Sequence, residues 1–136
     1  MIDTKKPTIK ANNLFLYYKD LAAAQDFYEV TLGLKRVLDY GFASIRQISP
    51  TTYISLVDET RGMHSFTETK AVDVAFGMRR LRPWARAAEK HAASLDIHEL
   101  RPDSTGRNSK GFIGLDPQGY TLIFRHAEFG KDGTFK

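Results

Sequence analysis

The 136-residue chain contains no cysteine. That excludes disulfides, thiolate zinc sites, iron–sulfur clusters and a cysteine nucleophile, and it fits a reducing compartment. No apolar run approaches the roughly 18 residues that a membrane helix needs. The opening stretch MIDTKKPTIK has no apolar signal-peptide core. A cytoplasmic protein with no membrane partner is therefore expected. Histidine is scarce too: the four residues His64, His91, His98 and His126 form no HxH, HxxxH or HExxH spacing. Gly111-x-x-Gly114 is not followed by a helical pattern, so it is no phosphate loop. No Ser-His-Asp arrangement can be argued from spacing.

What is present is an ordinary globular composition, 42% hydrophobic and 26% charged, sized for one domain over residues 1–136. The net charge is +4. Its basic residues are scattered as Lys35-Arg36, Arg79-Arg80-Arg82, Arg101 and Arg107 rather than gathered on one face, which argues against a nucleic-acid partner. A mild attraction for anionic ligands survives.

Along the chain, Ile9 to Tyr18 reads as a strand. Asp20 is placed to cap a helix that runs to about Leu32, and Gly33 can end it in the left-handed conformation. Leu34 to Asp39 and Phe42 to Ile48 form a hairpin about Tyr40-Gly41, and Thr52 to Val57 is a further strand. A polar connector, 59–70, leads to a second strand at Ala71 to Met78. Pro83 opens a second helix with Trp84, Ala87, Ala88, His91 and Leu95 on one stripe. Strands follow at Asp96 to Leu100, Gly111 to Leu115 and Thr121 to His126, with a type I turn at Asp116-Pro117-Gln118-Gly119. The tail 127–136 is expected to be mobile or to dock on a partner. Both halves read β-α-β-β-β, as modules of about 9–58 and 71–126. Leu14, Leu16 and Leu21 match Val74, Phe76 and Leu81 at an offset of 60, and Thr52 matches Thr121 at an offset of 69.

Strand alternation divides the sheet residues into two sets. Leu14, Leu16, Tyr18, Ile54, Leu56, Val74, Phe76, Met78, Leu122 and Phe124 form an apolar face for the helices. The other face mixes aromatic and polar groups: Asn13, Phe15, Tyr17, Tyr53, Ser55 and Val57 in one module, with Asp73, Ala75, Gly77, Thr121, Ile123 and Arg125 in the other. A mixture of that kind suits the lining of a cavity, or a packed dimer interface. If Ala43 and Ile45 face the helices, Ser44 and Arg46 join the lining. Arg46 and Arg125 would then offer bidentate donors to an anionic or flat ligand, with Trp84 a further aromatic candidate. Asp73 is a candidate general base if buried, and otherwise a hydrogen-bonded structural aspartate; Glu99 is a weaker candidate. His64 would reach a cavity mouth if the connector folds over it.

Asn13 to Leu21, with Asp26-Phe27-Tyr28, Leu32-Gly33-Leu34, Tyr53 to Asp58 and the Asp116-Pro117-Gln118-Gly119 turn, resembles the vicinal oxygen chelate superfamily of glyoxalase I, extradiol dioxygenases and fosfomycin- and bleomycin-resistance proteins. The resemblance spans roughly Ile9 to His126. It implies an α+β fold in which two β-α-β-β-β modules form a curved mixed sheet around a cavity, helices outside, often as a homodimer. It further implies that metal-dependent members would place ligands at Asn13, Ser55, Asp73 and Ile123. Only Asp73 is a convincing ligand type there, and isoleucine cannot ligate. No metal or other cofactor is therefore expected. The reading that follows is metal-independent binding of a small anionic or aromatic molecule, as in bleomycin-resistance proteins. The alternatives are a glyoxalase-like lyase or dioxygenase with a non-standard metal site, and a metal-free enzyme using Asp73 as base.

Overall fold

In a computed structural model the described residues are 6–78, 98–99 and 111–126. They fall in two units, 1–66 and 67–136. The class is α+β. The expected second helix, the Arg101 to Lys110 loop and the tail lie outside the described residues.

In the first unit β1 (Asn12–Tyr18) leads into α1 (Leu21–Asp26), followed by β2 (Lys35–Asp39), β3 (Ala43–Ser49) and β4 (Thr52–Asp58). The strand order is β1-β4-β3-β2, with β1 parallel to β4 and the other pairs antiparallel. The second unit holds β5 (Asp73–Met78), β6 (His98–Glu99), β7 (Gly111–Leu115) and β8 (Thr121–His126). Its order is β5-β8-β7-β6, again with the opening strand parallel to the closing one. The duplication seen in the sequence is thus a duplication of topology. Register corrects one offset. Leu16 pairs with Leu56 and Phe76 with Phe124. If Leu16 matches Phe76, the closing strands differ by 68 positions (124 − 56) rather than 69.

Local chemistry explains the element ends. The Asp20 carboxylate accepts from the Ala23 amide at 3.0 Å, capping α1 as expected. From Phe27 to Thr31 the helix widens into a π turn, where an α-helix was expected to continue. The Leu32 amide reaches back five residues to the Phe27 carbonyl at 3.1 Å. This wider turn keeps the consecutive rings of Phe27 and Tyr28 both buried. Tyr28 also accepts a hydrogen bond from the Tyr18 hydroxyl at 3.1 Å, tying the π turn to β1. Gly33 then stops the segment at φ +69°.

The first strand was expected from Ile9 but begins at Asn12, and Ile9 is 86% exposed. The cause lies in its partner. Thr52 opens β4 opposite Asn12, and the chain before it turns through Ser49-Pro50-Thr51, so residues 9–11 have no strand to pair with. Likewise β5 starts at Asp73 rather than Ala71, because its partner β8 starts at Thr121 after a turn. In that turn the Asp116 carboxylate accepts from the amides of Gln118 and Tyr120 at 2.9 and 3.0 Å. The core of each sheet is its apolar face: Leu16, Tyr18, Ile54 and Leu56 in the first, Val74, Phe76, Leu122 and Phe124 in the second. Leu14, expected among them, lies toward the open end of its strand and is exposed.

Candidate functional site

Register assembles the mixed face of the first sheet in three rows. Asn13, Tyr53 and Gln47 form one row, Phe15, Ser55 and Ile45 the next, and Tyr17, Val57 and Ala43 the third. The expected residues Asn13, Phe15, Tyr17, Tyr53 and Ser55 therefore do share a face. The Ser55 hydroxyl donates to the Asn13 side-chain carbonyl at 2.9 Å. Ser55 itself is fully buried, so this bond satisfies a polar group that would otherwise be costly to enclose. Beside the pair, Phe15 is 53% exposed. An aromatic ring standing free on a sheet face, next to a hydrogen-bonded polar pair, is the kind of surface on which a flat molecule stacks.

The third row is closed by the chain. After β4 the connector turns tightly. The Asp58 carboxylate accepts from the amide and hydroxyl of Thr60 at 2.9 and 2.7 Å, and the Gly62 amide donates to the Asp58 carbonyl at 2.9 Å. These two Thr60 bonds hold the Asp58 carboxyl below its ordinary value of 3.8. The His64 ring then meets Tyr17 edge-on, 5.3 Å between centroids. The connector histidine thus does reach the mixed face.

Arg46 is not on that face. It pairs with Ile54, and Ser44 with Leu56, which puts both on the helix-covered side with the core. Ile45 and Gln47 stand where Ser44 and Arg46 were expected. The helix supplies the reason. Gln25 donates to the Ser44 hydroxyl at 3.4 Å, and Glu29 meets Arg46 at 3.3 Å. Four helical residues advance about 6 Å, and two strand residues about 6.8 Å, so the i, i+4 pair matches the i, i+2 pair. That matching spacing, Gln25 and Glu29 against Ser44 and Arg46, is the signal by which the sequence could have shown the seam. Arg46 is 1% exposed, and neither its Nε nor its Nη1 has a partner in hydrogen-bond geometry. Among the described residues its ion-pair partner is Glu29, whose side chain is 58% exposed.

On the second sheet, Asp73 pairs with Thr121, Ala75 with Ile123, and Gly77 with Arg125. The expected residues Asp73, Ile123 and Arg125 share that face. Asp73 and Arg125 stand at opposite ends of it, four strand residues or about 13 Å apart along the strands, too far for a direct ion pair. Both are exposed. The burial that the general-base reading required of Asp73 is absent. The side chain of Glu99 lies outside the described residues, as does Trp84. Among the described residues no group of three or more His, Asp or Glu side chains could hold a metal ion.

No protein-family profile matches the sequence, and no curated protein matches it closely. Solved structures do. A lactoylglutathione lyase from Agrobacterium tumefaciens is 20% identical, with TM-score 0.65, over 89% of this chain and 96% of that one. A glyoxalase/bleomycin resistance protein/dioxygenase from Nocardioides is 20% identical, with TM-score 0.63, over 92% and 86%. A fosfomycin resistance protein from Listeria monocytogenes is 12% identical, with TM-score 0.65, over 94% and 96%. The chain has the vicinal oxygen chelate fold. Within that fold, the positions at which the resemblance would place metal ligands carry Asn13, Ser55, Asp73 and Ile123. The first two are hydrogen-bonded to each other, and the last has no donor atom. No helix among the described residues is long and apolar enough to cross a membrane.

Two outcomes follow from these contacts. Glu29→Ala strands a buried guanidinium and should lower stability by about 1–3 kcal/mol in urea denaturation, whereas Arg46→Met, which removes the charge, should cost less than about 1 kcal/mol. The double variant should match Arg46→Met alone; a double variant as unstable as Glu29→Ala would show that the ion pair is not the cause. The Asp58 turn should depend on pH. Because its folded pKa is lowered, its contribution is complete above the ordinary value of 3.8 and is lost as pH falls through the lower folded value. The Thr60 amide resonance should titrate with a midpoint below 3.8. A midpoint at or above it would remove the carboxylate from this role.

Proposed function

We propose that this chain binds a small, flat, aromatic molecule on the mixed face of its first sheet, and that it does so without a metal ion. The observation that carries the reading is Phe15, 53% exposed on a sheet face beside the Asn13–Ser55 pair and Tyr53. The ring supplies a stacking surface, and the amide and phenol supply polar groups at its border. Arg46 no longer supports an anionic ligand on this face. Of the two arginines expected to line a cavity, Arg125 lies on the mixed face of the second sheet.

The donor chemistry supports metal independence. A divalent transition ion asks for three or four nitrogen or carboxylate ligands. The four corresponding positions offer one carboxylate, one amide, one hydroxyl and one alkyl group. The names of the similar structures describe a lyase, a dioxygenase-type protein and a resistance protein. Binding in a fold of this class is the part of that range for which this donor set is suited. A homodimer, implied by the resemblance, belongs to the same reading, and light scattering should return twice the chain mass of 15.4 kDa. A value equal to the chain mass would reject it.

The direct test is titration of 2-naphthol into chelator-treated protein, followed by fluorescence. Binding should persist after chelation, and Phe15→Ala should weaken it about tenfold, roughly 1.4 kcal/mol. Near one equivalent of zinc, nickel, manganese or iron on the purified protein, lost in Asp73→Ala, would overturn the reading. So would equal affinity of wild type and Phe15→Ala.

A further inference from the structure

We infer that the connector segment following β4 is the end wall of the ligand-binding face, and that Gly62 sets how far a bound molecule can extend along β1 and β4. The inference rests on the binding reading above and adds to it a determinant of ligand length.

The three rows of the first mixed face are unequal. In the first two rows Phe15 is half-exposed and Asn13, Tyr53, Gln47 and Ile45 are partly exposed, with only the small Ser55 buried between them. In the third row Val57 and Ala43 are buried. What lies against that row is the backbone of Gly62. A Cβ built there would sit 2.7 Å from Cε1 of Tyr17 and 2.8 Å from Cγ1 of Val57, distances that real Cβ atoms do not show. Gly62 is not among the glycines with positive φ. Its backbone is therefore open to any residue, and glycine is required by the close approach alone.

The wall is fastened on both sides of that contact. Upstream, the Asp58 turn fixes residues 60–62. Downstream, the Phe66 amide donates to the Glu59 carboxylate at 3.4 Å, and the Lys19 ammonium lies 4.9 Å from the Phe66 ring centroid. Between them, His64 packs its edge on Tyr17. A molecule stacked on Phe15 thus meets Tyr17 and His64 one row further along. Val57 belongs to a central strand and cannot yield, so a side chain at 62 must lift the connector. Lifting it uncovers the third row and lengthens the face.

The test uses two phenols of different length, 2-naphthol and the longer 4-phenylphenol, titrated into wild type, Gly62→Ala and His64→Ala. Cooperative thermal melts check that each variant is folded. In wild type the shorter probe should bind more tightly. In Gly62→Ala the preference should move toward the longer probe by about tenfold, the scale at which an apolar pocket distinguishes one step of size. His64→Ala removes an exposed side chain and should move it the same way by a smaller factor. The His64 ring resonances, shifted by Tyr17 in wild type, should move toward free-histidine positions in Gly62→Ala without any ligand present. A probe preference within twofold of wild type in both variants would overturn the wall while leaving the binding reading intact. No binding of either probe to wild type would overturn the binding reading and the wall together.

Discussion

The pairing of each module's opening strand with its closing strand is the constraint on which the rest depends. β1 lies parallel to β4 and β5 to β8, in single unbroken registers. A parallel register places like positions of the two strands on one face. A shift of one residue would turn Leu56 out of the core and Ser55 into it. The same register that buries Leu16 against Leu56 therefore also brings Asn13, Phe15 and Ser55 to one surface. Core and candidate site are two faces of one alignment.

The helix side shows how a polar residue can be recruited to a core rather than to a site. Ser44 and Arg46 lie among Ile54 and Leu56, and each is met by a residue one helical turn from the other. Enclosing a guanidinium opposite a partly solvated carboxylate is a poor source of stability. Its structural effect is positional: the seam fixes where along β3 the helix sits. The π turn contributes to the same end by presenting Phe27, Tyr28 and Glu29 together to the sheet.

Much of the fold was legible because it is written in local chemistry. Asp20 before a helical stripe, Gly33 after it, Tyr40-Gly41 between two strands and the Asp116 turn each act within a few residues of themselves. Alternation gave the faces of β1, β4, β5 and β8, where one side is plainly apolar. It failed on β3, where the more apolar set, Ala43 and Ile45 with Gln47, faces away from the helix, and Ser44 and Arg46 face it. There the face is decided by tertiary partners at Gln25 and Glu29. The strand starts failed for a related reason. Ile9 has a strand-like neighbourhood, but pairing ends where the partner strand does. Of the candidate site, the two mixed faces were readable, while the covering of Tyr17 by Gly62 was not, because a glycine in a polar connector carries no sign of what it touches.

Parallel pairing of first with last strand also bears on how the chain is made. In the first module Asn12 must meet Thr52, and in the second Asp73 must meet Thr121. Neither sheet can be completed until its final strand has left the ribosome, so each module gathers contacts of long sequence separation at the end of its own synthesis. The second closure is longer by eight residues, which by loop entropy costs only about 0.2 kcal/mol more. On chain entropy the two closures are nearly equal.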